Sequence, residues 1–317
     1  MTLSTQSILQ GITAQPQNQV FYRQLSEEEA RRITGELLSC LKVFDELCRQ
    51  NGLVYLIVAG GLIGLVREGG LLPWDDDIDI VMPREDYRRF KEVLQNSKYR
   101  DEYSYIFPED NHVITMGAHF YNKNHSLTKL VSDEIGNSNI YESYSYLDIS
   151  PLDYCMDNPV ADKIRGTLVN AIQMGYISRR CFKKNDPYLA YLSGQSRSLR
   201  LNLLIRKLFA LPFTVVPKKL LFRQLDRLLD RRGKSGRMTI TYGAWRYFGE
   251  QLPTEVFLPT KDMPLDDMMA MTPGDSKRYL EHRYGNYMAV PTEQERNSRM
   301  VRLREDWFKY IPEEAKK

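Results

Sequence analysis

The stretch "AGGLIGLVREGGLLPWDDDIDIVM", residues 59–82, combines two glycine pairs with a dense cluster of acidic residues. Four aspartates fall between Asp75 and Asp79, on a segment whose other residues are typical of a buried strand. Carboxylates this close repel one another, and a carboxylate without a partner is costly to bury. A fold that keeps these aspartates together therefore needs a counter-charge.

Strand geometry limits what the counter-charge can be. Side chains alternate along a strand, so Asp77 and Asp79 share one face while Ile78 and Ile80 occupy the other. We expect a hard divalent cation here, Mg²⁺ first and Mn²⁺ second, because such ions take carboxylate oxygens together with substrate phosphates. An Arg or Lys partner, or solvation of the aspartates in a turn, are the alternatives. An EF-hand is excluded, because its sixth and twelfth positions would be Ile80 and Asp86.

The first glycine pair lies just upstream of the aspartates. Gly60 and Gly61 follow an apolar segment at 53–59 and precede a predicted short helix, so we expect a tight turn there. Backbone N–H groups at such a turn can hold phosphate, and the helix dipole favours the anion. A glycine pair alone also marks ordinary turns. Joined to the D-x-D strand, however, it resembles the nucleotidyltransferase fold.

The longer run at residues 60–90 resembles the signature of the LicD family, which includes the fukutin-like and fukutin-related proteins. Two further pieces, "YLDISPLDY" at 146–154 and "YLEHRYGNYMAVP" at 279–291, resemble later elements of that family. Its members are implicated in moving a phospho-alcohol from a CDP-linked donor to a glycan. The group is phosphocholine in the bacterial namesakes and ribitol phosphate in the fukutin-like proteins.

The resemblance implies roles for five residues of the first run. It assigns Gly60 and Gly61 to the donor phosphates, and Asp77 and Asp79 to the metal and to catalysis. Arg67 matches the family's arginine and is expected to present its planar fork to phosphate oxygens. A solvated arginine that compensates the helix dipole is the alternative for Arg67.

A third carboxylate is expected on the later acidic strand. Asp148 lies between Leu147 and Ile149, so in a strand it faces away from that apolar pair. We predict Asp148 to be a metal ligand, a general base or both. Asp153 competes for the role, although a turn or cap position suits it better. His119 is expected on a nearby strand, where it either lines the cleft or has a structural role.

These features predict a metal-dependent phosphotransferase that moves a phospho-alcohol, phosphocholine in first place, to a cell-surface glycan such as lipopolysaccharide or to a lipid-linked precursor. Bound metal neutralises the donor pyrophosphate and stabilises the leaving CMP. Two alternatives stay open. One is nucleotidyl transfer from an NTP to a small acceptor, and the other is a non-catalytic nucleotide-binding protein of the same fold.

Composition excludes several other classes of protein. Forty-four Lys and Arg against 41 Asp and Glu leave a formal charge of +3, so we expect no nucleic-acid partner. The histidines form no HExxH pattern and the cysteines form no CxxC pair, which disfavours a zinc hydrolase and a redox motif. The first residues show no basic, then apolar, leader pattern, and we expect a cytoplasmic location.

The order of predicted elements indicates an α/β (α+β) fold: a nucleotidyltransferase-like mixed sheet with flanking helices and a helical C-terminal region. We expect a polar N-terminal arm at 1–25, a catalytic core at 26–155 and a helical subdomain at 156–250. The last segment, 251–317, is expected to pack on the core and to shape the acceptor site.

Helical periodicity and capping residues predict most of the helices. Ser26 and Glu29 form a capping box for the first helix, the second long helix is expected to begin at Pro83, and Gly285 ends the last. A further amphipathic helix is expected within 217–233. A helix with Pro159 in its first turn, capped by Asp157 or Asn158, is expected to pack through one apolar face. That face is formed by Val160, Ile164, Leu168 and Ile172. Strands are expected at 53–59, 78–82, 103–107, 114–121 and 146–152.

Residues 196–225 alternate apolar and basic side chains. The largely apolar part, Leu208–Pro217, is too short to span a bilayer and contains two prolines. Two hypotheses follow. The segment is either a helix pair of the core with solvated Lys and Arg, or an amphipathic surface with a basic rim that binds anionic membranes reversibly.

Overall fold

A mixed β-sheet organises the computed structural model of this chain. The structure describes residues 22–75, 77–110, 115–132, 138–179, 197–230, 235–293, 296 and 301–303. The strands are β1 (Tyr22–Gln24), β2 (Leu56–Ile57), β3 (Ile78–Pro83), β4 (Tyr103–Ile106), β5 (Ala118–Ser132), β6 (Ser138–Tyr154), β7 (Arg237–Ile240), β8 (Gln251–Pro253), β9 (Lys261–Leu265), β10 (Met268–Thr272) and β11 (Val301–Leu303). The helices are α1 (Glu27–Gln50), α2 (Ala59–Glu68), α3 (Arg84–Gln95), α4 (Pro159–Ser178), α5 (Arg197–Thr214), α6 (Lys218–Leu229), α7 (Arg246–Gly249), α8 (Thr254–Phe257) and α9 (Ser276–Tyr284).

Among the described residues, seven strands form the main sheet, in the order β2-β3-β6-β5-β4, and β7 joins β6 and β8. Strands β3 and β6 run parallel, and the other neighbours run antiparallel. The predicted α/β class with a mixed sheet and flanking helices is confirmed. The segment predicted to be helical, 156–250, also supplies β7.

One face of this sheet packs against helices through aromatic rings. Phe44 of α1 lies 4.4 Å from Phe90 of α3 and 5.4 Å from Phe120 of β5, between ring centroids. Along the same face, Phe120 is opposite Leu147 and Leu147 is opposite Ile78, and all of these side chains are buried. Because strand side chains alternate, residues one position away project from the other face.

The predicted ends of several helices agree with the structure. Ser26 Oγ accepts from the Glu29 N–H at 3.2 Å and the Glu29 carboxylate accepts from the Ser26 N–H at 2.8 Å, which is the predicted capping box. Asn158 caps α4, and α9 ends at Gly285. Helix α6 lies within the segment predicted for it, whereas its predicted end at Gly233 lies outside the described residues.

Other boundaries differ from the sequence-based expectation. Strand β2 is shorter than predicted, and β5 begins at Ala118 rather than near residue 114, which lies outside the described residues. At the end of the predicted polar arm, Tyr22–Gln24 form strand β1, which pairs with β11. The domain boundaries proposed from sequence otherwise stay predictions.

The packing face predicted for α4 is wrong. Val160, Ile164 and Leu168 are exposed, at 68%, 59% and 48% of their surface. The helix instead buries a mixed side that includes Asp162 and Gln173. These polar groups are satisfied: the Tyr247 hydroxyl donates to the Asp162 carboxylate at 2.6 Å, and the Gln173 amide donates to the Thr241 carbonyl at 2.8 Å. Buried polar groups with partners can occupy a packed face that periodicity assigns to apolar residues.

A buried ion pair connects the start of α3 to the end of β6. The Arg84 guanidinium donates to both carboxylate oxygens of Asp153, at 2.5 and 2.7 Å, and to Asp226 of α6 at 2.8 Å. The Thr241 hydroxyl also donates to Asp153. Side chains of Arg84 and Asp153 are 8% and 1% exposed. Removing one partner of such a pair leaves a buried charge uncompensated.

We therefore expect Arg84→Ala to lower the free energy of unfolding by about 3–5 kcal/mol. The matched control is Arg88→Ala on the same helix. Arg88 also contacts Asp226, at 3.1 Å, but is 37% exposed, so its loss should cost about 1 kcal/mol or less. Urea unfolding followed by circular dichroism measures both. Equal shifts for the two variants would contradict a structural role for the buried pair.

Candidate functional site

Three chemically active side chains form a row across adjacent strands. Asp79 of β3 is in register with Asp148 of β6, and Asp148 is in register with His119 of β5. Neighbouring strands are about 4.8 Å apart, and residues directly opposite each other share a face. The row therefore lies on the face of the sheet opposite the aromatic core. Two of the three predicted carboxylates, together with His119, are brought side by side by strand register.

The acidic cluster has a strong electrostatic signature. Burial raises the pKa of Asp79 well above its ordinary value, and the carboxylates of Asp77, Asp148 and Asp75 raise it further, in that order, while Arg283 lowers it. The predicted residues Asp77, Asp79 and Asp148 thus lie in one electrostatic field. Burial and these neighbouring carboxylates therefore disfavour the charged form of Asp79.

The start of α2 adjoins this row. The Val58 N–H donates to the Asp79 carbonyl at 3.0 Å, and the first helical hydrogen bond of α2 runs from Leu62 N–H to Val58 C=O at 3.2 Å. Gly60 and Gly61 therefore lie in the first helical turn, not in a turn before it as the sequence predicted. The reason is Ala59, whose φ of +49° makes the sharp bend. The N–H groups at this helix start have no intrahelical acceptor and can bind an anion.

Two glycines allow the carboxylates to approach the backbone. A Cβ atom on Gly60 would lie 2.0 Å from Asp75 Oδ2, and one on Gly117 would lie 2.1 Å from Asp148 Oδ1. A side chain at either position would displace the carboxylate. Gly117 was missed by the sequence reasoning, because a single glycine before a strand is ordinary and only the fold places it against Asp148.

Arg67 lies apart from the row, at the other end of α2. Its guanidinium donates to the carbonyls of Tyr287 and Ala289, at 3.3 and 3.1 Å, and to Glu68 at 2.8 Å. It also lies over the Trp74 ring, 5.8 Å from the centroid. With 6% of its side chain exposed, Arg67 is not the solvated arginine of the alternative hypothesis. It connects α2 to the C-terminal family element.

The competitor Asp153 has a different position. It is a β6 residue held by Arg84 and Thr241, not a turn or a cap as expected, and it is buried. Both of its carboxylate oxygens are already hydrogen-bonded. Asp148 is the residue of this segment that lies beside Asp79.

Further residues near the row come from the end of α9 and the segment before β8. Arg283 contacts Glu250 at 2.5 Å and stacks on Trp245 at 4.8 Å. Burial raises the pKa of Glu250 and the charge of Arg283 opposes that shift. Arg283 also lowers the pKa of Asp79. The sequence reasoning matched the segment 279–291 but assigned no residue in it, because the proximity of Arg283 to Asp79 is a tertiary contact.

The donor set suits a hard cation without forming a closed metal cage. Asp77, Asp79 and Asp148 offer carboxylate oxygens, the ligands that Mg²⁺ and Mn²⁺ prefer. Within the part of the chain that the structure describes, which omits residue 76, no three His, Cys, Asp or Glu side chains converge as a metal site. Asp79 and Asp148 share one face of the sheet, and the charges of Asp77 and Asp148 both raise the pKa of Asp79.

Comparison with known proteins agrees with this geometry. Residues 52–143 match the model described as LicD/FKTN/FKRP, nucleotidyltransferase domain. The chain is 24% identical over 258 residues to a protein of Haemophilus influenzae named lipopolysaccharide cholinephosphotransferase LicD, covering 81% of this chain and 91% of that one.

Two uncharacterized rickettsial proteins match shorter parts. One from Rickettsia typhi is 29% identical over 131 residues, covering 40% of this chain and 41% of its own. One from Rickettsia prowazekii is 37% identical over 79 residues, covering 23% of this chain and 30% of its own. The matched family domain contains α2, β3 and β5, and so most of the candidate site. The resemblance predicted from sequence is thus found again: residues 52–143 are similar to the LicD-family nucleotidyltransferase domain, and most of the chain is similar to a LicD phosphotransferase.

Proposed function

We propose that this enzyme transfers a phospho-alcohol group, with phosphocholine as the favoured group, from a CDP-linked donor to a lipopolysaccharide-type glycan or its lipid-linked precursor. One observation carries the proposal: the start of α2 adjoins β3, whose Asp79 lies in one row with Asp148 and His119. An anion-binding helix start is thereby placed next to an acidic cluster. A donor pyrophosphate needs both.

The helix start suits the phosphates of the donor. The N–H groups of its first turn, including those of Gly60 and Gly61, point out of the helix and carry its positive dipole. An aspartate cluster alone would repel a pyrophosphate, so the two features are compatible only if the cluster is neutralised. We infer that Asp77, Asp79 and Asp148 hold a divalent cation, Mg²⁺ in first place.

When bound, such a cation neutralises the phosphate oxygens and stabilises the leaving CMP. The chain's own residues supply the other steps. Asp148 accepts the proton of the acceptor hydroxyl as that oxygen attacks the phosphorus, and the oxygen–phosphorus bond to CMP breaks. His119 lies directly beside Asp148 and stacks on Tyr146, with ring centroids 4.0 Å apart, which limits the orientation of its imidazole.

The choice of alcohol and acceptor rests on similarity. The Haemophilus relative, which this chain matches over 91% of that protein's length, is named for transfer of cholinephosphate to lipopolysaccharide. We carry both the choline group and the glycan acceptor to this chain as part of the proposal. The C-terminal element at 279–291 accepts hydrogen bonds from Arg67, and its Arg283 lowers the pKa of Asp79. We infer that this segment contributes to acceptor recognition.

The first test measures product release. Incubated with Mg²⁺ and CDP-choline, CDP-ethanolamine, CDP-glycerol or CDP-ribitol, the enzyme is expected to release CMP, fastest from CDP-choline. Asp77→Asn, Asp79→Asn and Asp148→Asn should each lower kcat at least 100-fold. Glu85→Gln, which removes an exposed carboxylate from α3, is the matched control and should leave kcat unchanged. Pyrophosphate release from an NTP without CMP release from any donor would favour nucleotidyl transfer instead.

The second test measures the charge of the cluster through stability. Because the pKa of Asp79 is raised in the fold, the native state binds its proton more tightly than the unfolded chain does. The stabilisation that protonated Asp79 contributes is therefore fully present below about pH 4. It is lost as the pH rises through the pKa of Asp79 in the folded state. Asn at position 79 keeps the uncharged form at every pH.

In the absence of metal, Asp79→Asn should raise the melting temperature at pH 7, by about 2–4 °C for each kcal/mol of repulsion removed. Near pH 4 the variant and the native protein should have the same melting temperature. Asp101→Asn, at a side chain that is 87% exposed, is the control and should change neither value. Added Mg²⁺ should stabilise the native protein and not the Asp79 variant. A lower melting temperature for Asp79→Asn at pH 7 without metal would contradict the prediction that the charged form of Asp79 destabilises the metal-free protein.

A further inference from the structure

The first observation is an apolar stripe that faces outward on α5. Leu201, Leu204, Ile205, Leu208 and Leu211 recur at helical spacing, and all are exposed, Leu208 by 65%. The opposite side of the helix packs against the protein. Ala210 is fully buried, and a Cβ on Gly175 of α4 would lie 2.3 Å from the Phe213 ring. Helix α5 therefore directs its most apolar side away from the core.

Exposed apolar side chains also occur on the neighbouring helix. Val160, Ile164 and Leu168 of α4 are exposed at its N-terminal half. Phe248 of α7 is 43% exposed and lies against Gly166 of α4, where a Cβ would be 2.5 Å from its ring. We call these side chains, with the α5 stripe, the apolar surface. Monomeric proteins seldom expose so many apolar side chains without a binding role.

Charge identifies the kind of partner. Residues 187–225 contain no Asp or Glu and seven Lys or Arg. Arg197 and Arg200 are exposed on α5, Lys219 is exposed on α6, and Lys207 is half-buried beside the stripe. Arg206, predicted from sequence to belong to the basic rim, is buried instead and donates to Asn202 at 2.8 Å. The rim is basic without it.

These observations indicate which kind of partner binds the apolar surface. A second copy seated on the same surface would place the basic side chains of one rim near those of the other, which is unfavourable. None of the described helices has the length and apolar character needed to cross a bilayer. An outward apolar stripe bordered by Lys and Arg is the pattern of a helix that lies in the headgroup region of an anionic membrane.

We propose that the apolar surface, formed by α5 and the N-terminal half of α4, docks this enzyme reversibly on an anionic phospholipid bilayer, of the kind found at an inner leaflet. The core-helix hypothesis is correct for α6, whose Leu221, Phe222 and Leu225 are buried, and wrong for the stripe of α5. The segment 196–225 thus divides into a core helix and a membrane-facing helix.

The surface leads toward the candidate site. Trp245, which precedes α7, is 49% exposed, and its ring lies under Arg283, the residue that lowers the pKa of Asp79. Docking through α4 and α5 would bring this side of the site to the lipid headgroups. That arrangement suits a lipid-linked acceptor. The acceptor rests on the proposed function, whereas the docking proposal does not depend on it.

Liposome co-sedimentation of the full chain tests the proposal. Vesicles of phosphatidylglycerol and phosphatidylcholine are expected to pellet the protein at low salt, and pure phosphatidylcholine vesicles or 0.5 M salt are expected to release it. Leu204→Gln with Leu208→Gln should abolish pelleting. Arg200→Gln with Lys207→Gln should lower the partition coefficient roughly 10-fold to 30-fold.

Arg31→Gln with Lys277→Gln is the matched control. It removes the same charge from side chains that are 78% and 74% exposed elsewhere, and it should leave binding nearly unchanged. Equal losses in the two charge variants, or no pelleting of the native chain, would overturn the proposal. A dimer that the Leu variant dissociates, without vesicle binding, would assign the surface to a second copy. CMP release in solution, measured separately, stays intact in the Leu variant if only docking is lost.

Discussion

The two-residue period of strands β3, β6 and β5 is the constraint on which this structure depends. On one face the period places Ile78, Leu147 and Phe120 against the aromatic side chains of α1 and α3. On the other face it places Asp79, Asp148 and His119 in one row. A shift of one residue in any of these strands would bury carboxylates in the core and expose apolar side chains. Burial of the apolar face therefore fixes the strand register, and that register brings the residues of the acidic face into one row.

Keeping an acidic row together has an electrostatic cost that surrounding elements only partly relieve. Arg283 opposes the repulsion, but it is also paired with Glu250 and stacked on Trp245. Burial first, and the neighbouring carboxylates after it, hold the pKa of Asp79 above its ordinary value despite Arg283. Local strain of this kind is typical of functional sites, where the ligand completes the charge balance. Gly60 and Gly117 also accommodate this cluster, since a Cβ at either position would overlap a carboxylate oxygen.

The helical part of the chain is stabilised by a different set of interactions. Its own small core includes Val169, Tyr176, Phe222 and Leu225, and a polar network around Asp162 and Tyr247 connects it to β7 and β8. Because that network buries polar groups of α4 with their partners satisfied, the apolar stripe of the helix is free to face outward. The helical part of the chain therefore has an apolar exterior bordered by basic side chains, and it packs beside a sheet that has one acidic face.

The sequence by itself determined the α/β class, the capped ends of α1, α4 and α9, and the strand β3 that carries Asp79. Each of these follows from local rules: strand alternation, helical period and capping chemistry act within a few residues. Tertiary structure alone decided that Asp148 lies beside Asp79 while Asp153 is held by Arg84, since strand register and ion pairing join residues about 70 positions apart. It also decided which side of α4 and α5 faces outward, because local periodicity identifies an apolar face but not what that face meets.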